Sequence, residues 1–278
     1  MLFKVLKKYL WLSEYLSVIN KEYIMRNTII LFVGLFIIQT NSFGWGHEGH
    51  CIVADIAQTQ MNKNVIDSVT KYLGTMTFEQ ASNWMDDVRS NHSFDFMKPW
   101  HFIDIEKGQT YSPSAGDKNC ITELLKVMKE LNNRPSLSYE QISTDIKIIC
   151  HLIGDLHQPL HVGYGTDRGG NSIEVEFINK ETNLHKVWDT EIIQYQSINT
   201  DSCINANSKL TDAEIKEIQK IDVIQWMNES RAYLENVYDF KDGIIDKNYI
   251  DKNTVVIEKQ LFDAGIRLAA VLNEIFSK

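Results

Sequence analysis

Residues 150–161 read CHLIGDLHQPLH, which places three histidines and one aspartate in a single short stretch. His151 and Asp155 are four positions apart, so on a helix they stand one turn apart on the same face. Pro159 falls between Asp155 and His161, and a residue without an amide hydrogen kinks or ends a helix there. Upstream, Ile142, Ile146, Ile149 and Ile153 recur at helical spacing. A long helix over 138–160 is therefore predicted, with Ser138 as its N-cap and the isoleucine stripe turned inward. A carboxylate within reach of imidazoles on both sides suits a bridging metal ligand. Any one of these histidines alone reads more plainly as a helix-end residue. The cluster reads otherwise, because matching ligand types recur elsewhere in the chain.

Working outward, most of the chain from residue 45 onward has helical periodicity. Ile52, Val53, Ile56 and Ala57 mark a buried stripe in a helix over 47–61. Further helices are expected over 64–73, 78–89, 121–131, 185–195, 223–237 and 255–276. Thr211 caps another that runs to residue 218. Residues 90–111 look looser. The one strand signal is SIEVEF at 172–177, which alternates apolar and polar residues, and a turn over 179–183 makes a short hairpin. The expected fold is all-α, with a small β-hairpin insertion. No internal repeat, low-complexity segment or linker interrupts it.

The 278 residues are 44% hydrophobic and 23% charged, ordinary values for a chain with a sizeable core. The net charge of −9 argues against a basic nucleic-acid clamp. It leaves room for a nucleic-acid enzyme whose bound divalent ions supply positive charge. Residues 1–44 read as a secretory signal peptide. Met25 and Arg26 precede the apolar run IILFVGLFII at 29–38, and Ser42-Phe43-Gly44 puts small residues before a cut after Gly44. The run is too short for a typical membrane span, and Met25 is a possible true start. Removing a leader of charge +3 takes the mature chain at 45–278, read as a single domain, to near −12. The product is expected to be secreted or periplasmic, free of the membrane after cleavage, monomeric and without a stable protein partner. All four cysteines, Cys51, Cys120, Cys150 and Cys203, lie in the mature part. Export permits disulfides among them, with three pairings open. Reduced core thiols are the alternative for Cys51 and Cys150.

A site for several ions needs ligands from several elements, because one helix cannot surround them. The chain offers such ligands in order: WGHEGH at 45–50, Asp86 within WMDDVR, and His101 within WHFID. The opening stretch follows, and then LHKVWD at 184–189, where His185 and Asp189 are again four apart. Five of the eight histidines, His50, His101, His151, His161 and His185, are the candidate ligands in these places. His47, His92 and His157 have no assignable ligand role.

This order of motifs resembles the S1/P1 nuclease family of secreted zinc-dependent nucleases. The likeness runs from Trp45 to the end. It takes in WGxxGH, WxDxxR, HFID, HxxGDxHQPLH, the RGGN at 168–171, NLHxxWD, and the AGIRLA at 264–269 in the last helix. The resemblance implies a helical domain of the phospholipase C/P1 nuclease type holding three zinc ions. One ion would take Asp86, His101, His151 and Asp155. A second would share Asp155 and take His50 and Trp45, the latter through its free amine and carbonyl oxygen. The third would take His161, His185 and Asp189. The Trp45 amine exists only after cleavage at Gly44, so removal of the leader would complete the site.

The resemblance further implies hydrolysis of single-stranded RNA or DNA to 5′-phosphate products, with 3′-nucleotidase activity on the same site. Asp155 and Arg89 would be catalytic, with Arg89 stabilising transition-state charge; a surface ion pair is its plainer role. Phe102 would stack on a base and Asp104 would bind its edge, although Phe102 also suits a core position. Gly169, Gly170 and Asn171 would help form the base pocket, or make the turn into the hairpin, or both. Two rivals remain: a zinc phospholipase C, and a zinc-binding module without catalysis.

Overall fold

A computed structural model describes residues 45–114 and 116–277. The expected signal peptide, residues 1–44, lies outside them. The described residues are mainly helical and share one hydrophobic core. Three helices come first: α1 (His47–Gln60), α2 (Lys63–Leu73) and α3 (Phe78–Asp87). Thr77 starts α3 with a reciprocal capping box to Gln80, which satisfies amides that a helix start leaves without partners. α4 (Cys120–Asn132) and α5 (Tyr139–Leu156) follow, capped in the same way by Asn119 and Ser138. α5 is enclosed by α1, α3 and α4. From Ile148 to Leu156 every residue of it is buried, so its His151 and Asp155 point into protein.

α5 stops at Leu156, four residues short of the expected end. The cause is local. Gln158 takes an extended conformation (φ −89°, ψ 114°), as a residue before proline must, and Pro159–Val162 then forms a 3₁₀ turn. The segment expected to be loose also contains 3₁₀ helix, over His92–His101.

The hairpin is present, with a different register. β1 (Glu174–Phe177) pairs antiparallel with β2 (Lys180–Asn183). The turn is at Ile178 and Asn179, both at positive φ (49° and 61°), the backbone that a two-residue hairpin turn needs. Residues 180–183, read as turn, are strand; Lys-Glu-Thr-Asn carries no apolar alternation to signal it. A short β3 (Ile244–Ile245) adds a parallel third strand.

The chain then re-enters helix through α6 (Leu184–Lys186), a π-helical turn at Val187–Glu191 and α7 (Ile192–Gln196). α8 (Thr200–Ala206), capped by Asn199, adds a helix to those expected. α9 (Asp212–Ile218) has Thr211 as its cap. The helix expected over 223–237 is divided into α10 (Val223–Arg231) and α11 (Leu234–Val237). The last helix, α12 (Lys247–Phe276), starts eight residues earlier than read, from an Asp246 cap, and packs along α1. Among the described residues no helix is long and apolar enough to cross a membrane. The four cysteines are all free thiols, three of them fully buried and Cys51 half-buried. No bridge joins them; Cys150 is a core thiol, as the alternative reading expects, whereas Cys51 is only half-buried.

His157 proves structural. It is buried; its Nδ1 donates to the Ile153 carbonyl at 2.7 Å, and its Nε2 accepts from Arg267 Nη1 at 2.8 Å. Burial, and then Arg267, push its pKa well below the usual imidazole range, so it is neutral. Arg267 also pairs with Glu229 and lies over the Trp226 ring. Replacing Arg267 with Ala is expected to cost about 3 kcal/mol, because it strands buried polar groups. A lowered melting temperature with wild-type helix content by circular dichroism checks this.

Candidate metal centre

Four elements deliver side chains to one buried point. α1 brings His50, α3 brings Asp86, the 3₁₀ segment ends on His101, and α5 brings His151 and Asp155. His101 Nδ1 and His151 Nε2 lie 3.0 and 3.2 Å from Asp155 Oδ2. His50 Nε2 lies 3.4 Å from the other oxygen, Oδ1. Asp155 therefore turns one oxygen to each side, as a bridging carboxylate would. Two triads of ligand atoms result, His50–His151–Asp155 and Asp86–His101–His151, each with its atoms within 4.8 Å of one another. The grouping differs from the expected one: the residue common to both triads is His151, and Asp155 belongs to the first alone, although its Oδ2 lies beside His101 and His151.

A third triad, His161–His185–Asp189, is separate from these. His161 comes from the turn after α5, His185 from α6, and Asp189 from the π turn. His185 Nε2 lies 3.1 Å from Asp189 Oδ2 and 3.2 Å from His161 Nε2.

Backbone carbonyls set the imidazole tautomers. His151 Nδ1 donates to the Ser82 carbonyl at 2.7 Å, His161 Nδ1 to that of His101 at 2.6 Å, and His185 Nδ1 to that of Gly169 at 2.5 Å. A carbonyl only accepts, so each Nδ1 carries the hydrogen and each Nε2 presents a lone pair inward. The Nε2 atoms of His161 and His185 thus face each other as two acceptors, an arrangement that a cation between them relieves. Around the other two triads, both ring nitrogens of His50 and one oxygen each of Asp86 and Asp155 are buried without a hydrogen-bond partner. Buried polar atoms are rarely left so. Orphaned atoms, facing acceptors and a nitrogen–carboxylate donor set all fit zinc.

The site's electrostatics point the same way. Burial and the neighbouring His151 push the His50 pKa down to about 4. Burial opposes charge on His151 as well, but Asp155 and Asp86 outweigh it and raise that pKa to about 9. Asp155 is held well below the usual carboxylate range: burial opposes this, and His151 and His161 overcome it. The negative charge of Asp155 and Asp86 thus dominates this buried cluster, a setting that favours a bound cation.

Two supporting residues escaped the sequence reading, although both sit inside quoted motifs. Gly154 precedes Asp155, and a Cβ there would lie 2.8 Å from His50 Nδ1; only a hydrogen leaves the ring its place. Gln158 is fully buried, and its amide nitrogen donates to Asp189 Oδ1 at 2.6 Å while its oxygen accepts from the Leu160 amide at 2.6 Å. It frees Asp189 Oδ2 to face His185.

Trp45 is fully buried, and the adjacent Gly46 amide donates to the Asp189 carbonyl at 2.8 Å. The start of the described chain is thus pinned beside the third triad. Arg89 is mostly buried, with Nη1 3.7 Å from Asp86 Oδ1. Residues 103–105 run alongside 161–163 through Ile103 N to His161 O (2.8 Å) and Ile105 N to Gly163 O (3.0 Å). In this extended segment Ile103 and Ile105 face the core, whereas Phe102 is 39% exposed and Asp104 faces out beside it. Phe102 is therefore not a core residue. Both line a pocket of about 490 Å³ closed by residues 109–112 and 117–119. Burial, then Glu106 and Asp167, raise the Asp104 pKa.

Gly169 and Gly170 have φ of 59° and 81° and make the turn toward the hairpin. A Cβ at Gly169 would lie 2.4 Å from the Leu160 carbonyl oxygen. The Asn171 amide donates to the Arg168 carbonyl at 2.9 Å. Neither the two glycines nor Asn171 lines the Phe102 pocket.

Comparison with known proteins follows the same lines. The family model described as S1/P1 Nuclease matches residues 45–277. Endonuclease 2 of Arabidopsis thaliana is 27% identical over 89% of this chain and 96% of its own length. Nuclease S1 of Aspergillus oryzae is 29% identical over 85% of this chain and 93% of its own. Nuclease P1 of Penicillium citrinum is 29% identical over 54% of this chain and 58% of its own.

Proposed function

The chain belongs to the S1/P1 nuclease family, and from that premise we propose that it is an exported nuclease with three zinc ions, which cuts single-stranded RNA and DNA to 5′-phosphate products and removes 3′-phosphates from nucleotides. The observation that carries this reading is the presence of three His/Asp triads, two of them sharing His151, with the Nε2 acceptors of His161 and His185 facing each other in the third. Asp86, His101, His151 and Asp155 would hold one ion, His50, Asp155 and the Trp45 main chain a second, and His161, His185 and Asp189 the third. Zinc in these places supplies Lewis acidity toward phosphate oxygens and acidifies water.

The protein's own groups do the rest. Arg89, steered by Asp86, places positive charge against the phosphate oxygens as negative charge grows on them. Phe102 offers an exposed ring to one base, and Asp104 accepts hydrogen bonds from that base's edge. An unpaired base is free to be held this way and a paired one is not, which selects single strands. Gly169 acts through its carbonyl on His185, and Asn171, with Gly170, supports the turn that carries it. Export is supported by the leader pattern at 1–44, whose removal liberates the Trp45 amine. That amine has a reference pKa near 8, so a metal needs to lower it only modestly.

The test uses mature protein beginning at Trp45 beside a form with extra residues before it. We expect three zinc ions per mature chain and 5′-phosphorylated products from single-stranded substrates. The extended form should hold about one ion fewer and lose most activity. Equal metal content and activity in the two forms would remove Trp45 from the ligand set. Cleavage of phosphatidylcholine instead of nucleic acid would make the protein a phospholipase.

A further inference from the structure

The 3₁₀ segment His92–His101 carries more aromatic surface than the metal centre uses. Trp84 of α3 meets Phe94 edge-on, with ring centroids 5.6 Å apart. Phe94 lies 6.4 Å from Phe96, and Phe96 lies 5.3 Å from Trp100, again edge-on. Four rings thus stand in a row. Trp100 is nearly buried at 7% exposure, but Phe96 is 54% exposed, more than any other phenylalanine among the described residues. A row that existed only to seal the core would not leave its third ring in water, where burial of an aromatic face is favourable. Edge-on packing against Trp100 holds Phe96 in place, so a ligand meeting it loses little side-chain entropy.

The row is anchored on the two segments that build the paired triads. Trp84 is two residues before Asp86, and Trp100 directly precedes His101 and Phe102. Cations accompany it. Lys147 Nζ sits 4.4 Å from the Trp84 ring centroid, and Lys126 Nζ sits 5.7 Å from that of Trp100. Lys98 is bonded to Asp95 at 2.7 Å and Lys126 to Glu123 at 3.2 Å, so local carboxylates offset part of that charge.

We propose that this row is a track for nucleotides of a single-stranded nucleic acid beyond the one at the scissile phosphate, with Phe96 as its base-stacking surface. The proposal rests on the nuclease reading and deepens it. Stacking accepts any base, because every base has a π face. With Lys98 and Lys126 already partnered, the track holds its ligand more by stacking than by charge, and its contribution to affinity depends only weakly on salt.

The test is the Phe96→Ala variant, zinc-loaded, beside the wild type and Phe96→Trp. Substrates are a 3′-nucleoside monophosphate, a dinucleotide and an oligonucleotide of about a dozen unpaired bases. For Phe96→Ala the KM on the oligonucleotide should rise about tenfold with kcat unchanged. KM on the two short substrates should stay at the wild-type value, since they do not reach the track, and Phe96→Trp should restore the oligonucleotide KM. An unchanged KM at every length overturns the proposal. So does a variant that loses binding to phosphatidylcholine vesicles while its oligonucleotide KM is unaffected, which would make the row a lipid-facing surface. Failure of the nuclease reading itself shows separately, as wild-type protein that cleaves none of the three substrates.

Discussion

Asp155→Asn is expected to lower turnover by about 10³-fold or more and to reduce bound zinc from three ions toward one. The magnitude follows from position. Residues that merely orient a ligand are worth 10–100-fold in metal affinity or activity, and Asp155 would itself be a ligand to two ions. Its Oδ2 lies 3.0 and 3.2 Å from His101 and His151, and its Oδ1 lies 3.4 Å from His50. An amide keeps the shape and removes the charge, and it also presents an NH₂ group to one of these imidazole sets. His161, His185 and Asp189 do not depend on that oxygen pair for their mutual approach, so the third ion should remain. Metal analysis read together with kcat checks the expectation. Full zinc content in an inactive variant would show that Asp155 works in the chemistry and not as a ligand.

Arg89→Ala is expected to lower kcat by about 10²–10³-fold, the usual cost of removing one group aimed at transition-state charge, while zinc content stays at the wild-type level. KM should change less than kcat, since the charge it meets grows mainly in the transition state. Arg89→Lys should recover part of the loss, because it restores the charge without the planar fork. The 3.7 Å contact to Asp86 gives the alternative outcome its form. If zinc is lost in step with activity, Arg89 serves only to hold a ligand. A non-catalytic zinc-binding module would show no loss of turnover, having none.

Much of the centre was legible because its chemistry is local in sequence. His151 and Asp155, and again His185 and Asp189, are one helical turn apart, and that spacing alone puts each pair on one face. The isoleucine stripe that made α5 a buried helix is equally local, as are the caps at Ser138 and Thr211. Illegible elements lacked such a signature. β2 is four polar residues with no alternation, and β3 is two residues long. The first turns of α12, with Lys247 to Thr254 mostly polar, gain their order from Asp246 and from the burial of Tyr249, Ile250 and Asn253 against the rest of the chain.

By itself, then, the sequence determined an all-α chain and eight His and Asp candidate ligands, since residue type and periodicity suffice for both; the ninth, Trp45, is implied only by the family resemblance. Only tertiary structure decided which of these share a point in space. It put His151 in two triads at once, gave Asp155 one oxygen for each side, and turned Phe102 outward and His157 away toward Arg267. It also recruited Gly154, Gln158 and the carbonyls of Ser82, His101 and Gly169. The reason is physical. A carbonyl has no side chain to mark it in a sequence, and a ring nitrogen's tautomer is set by whatever group the fold brings against its other face.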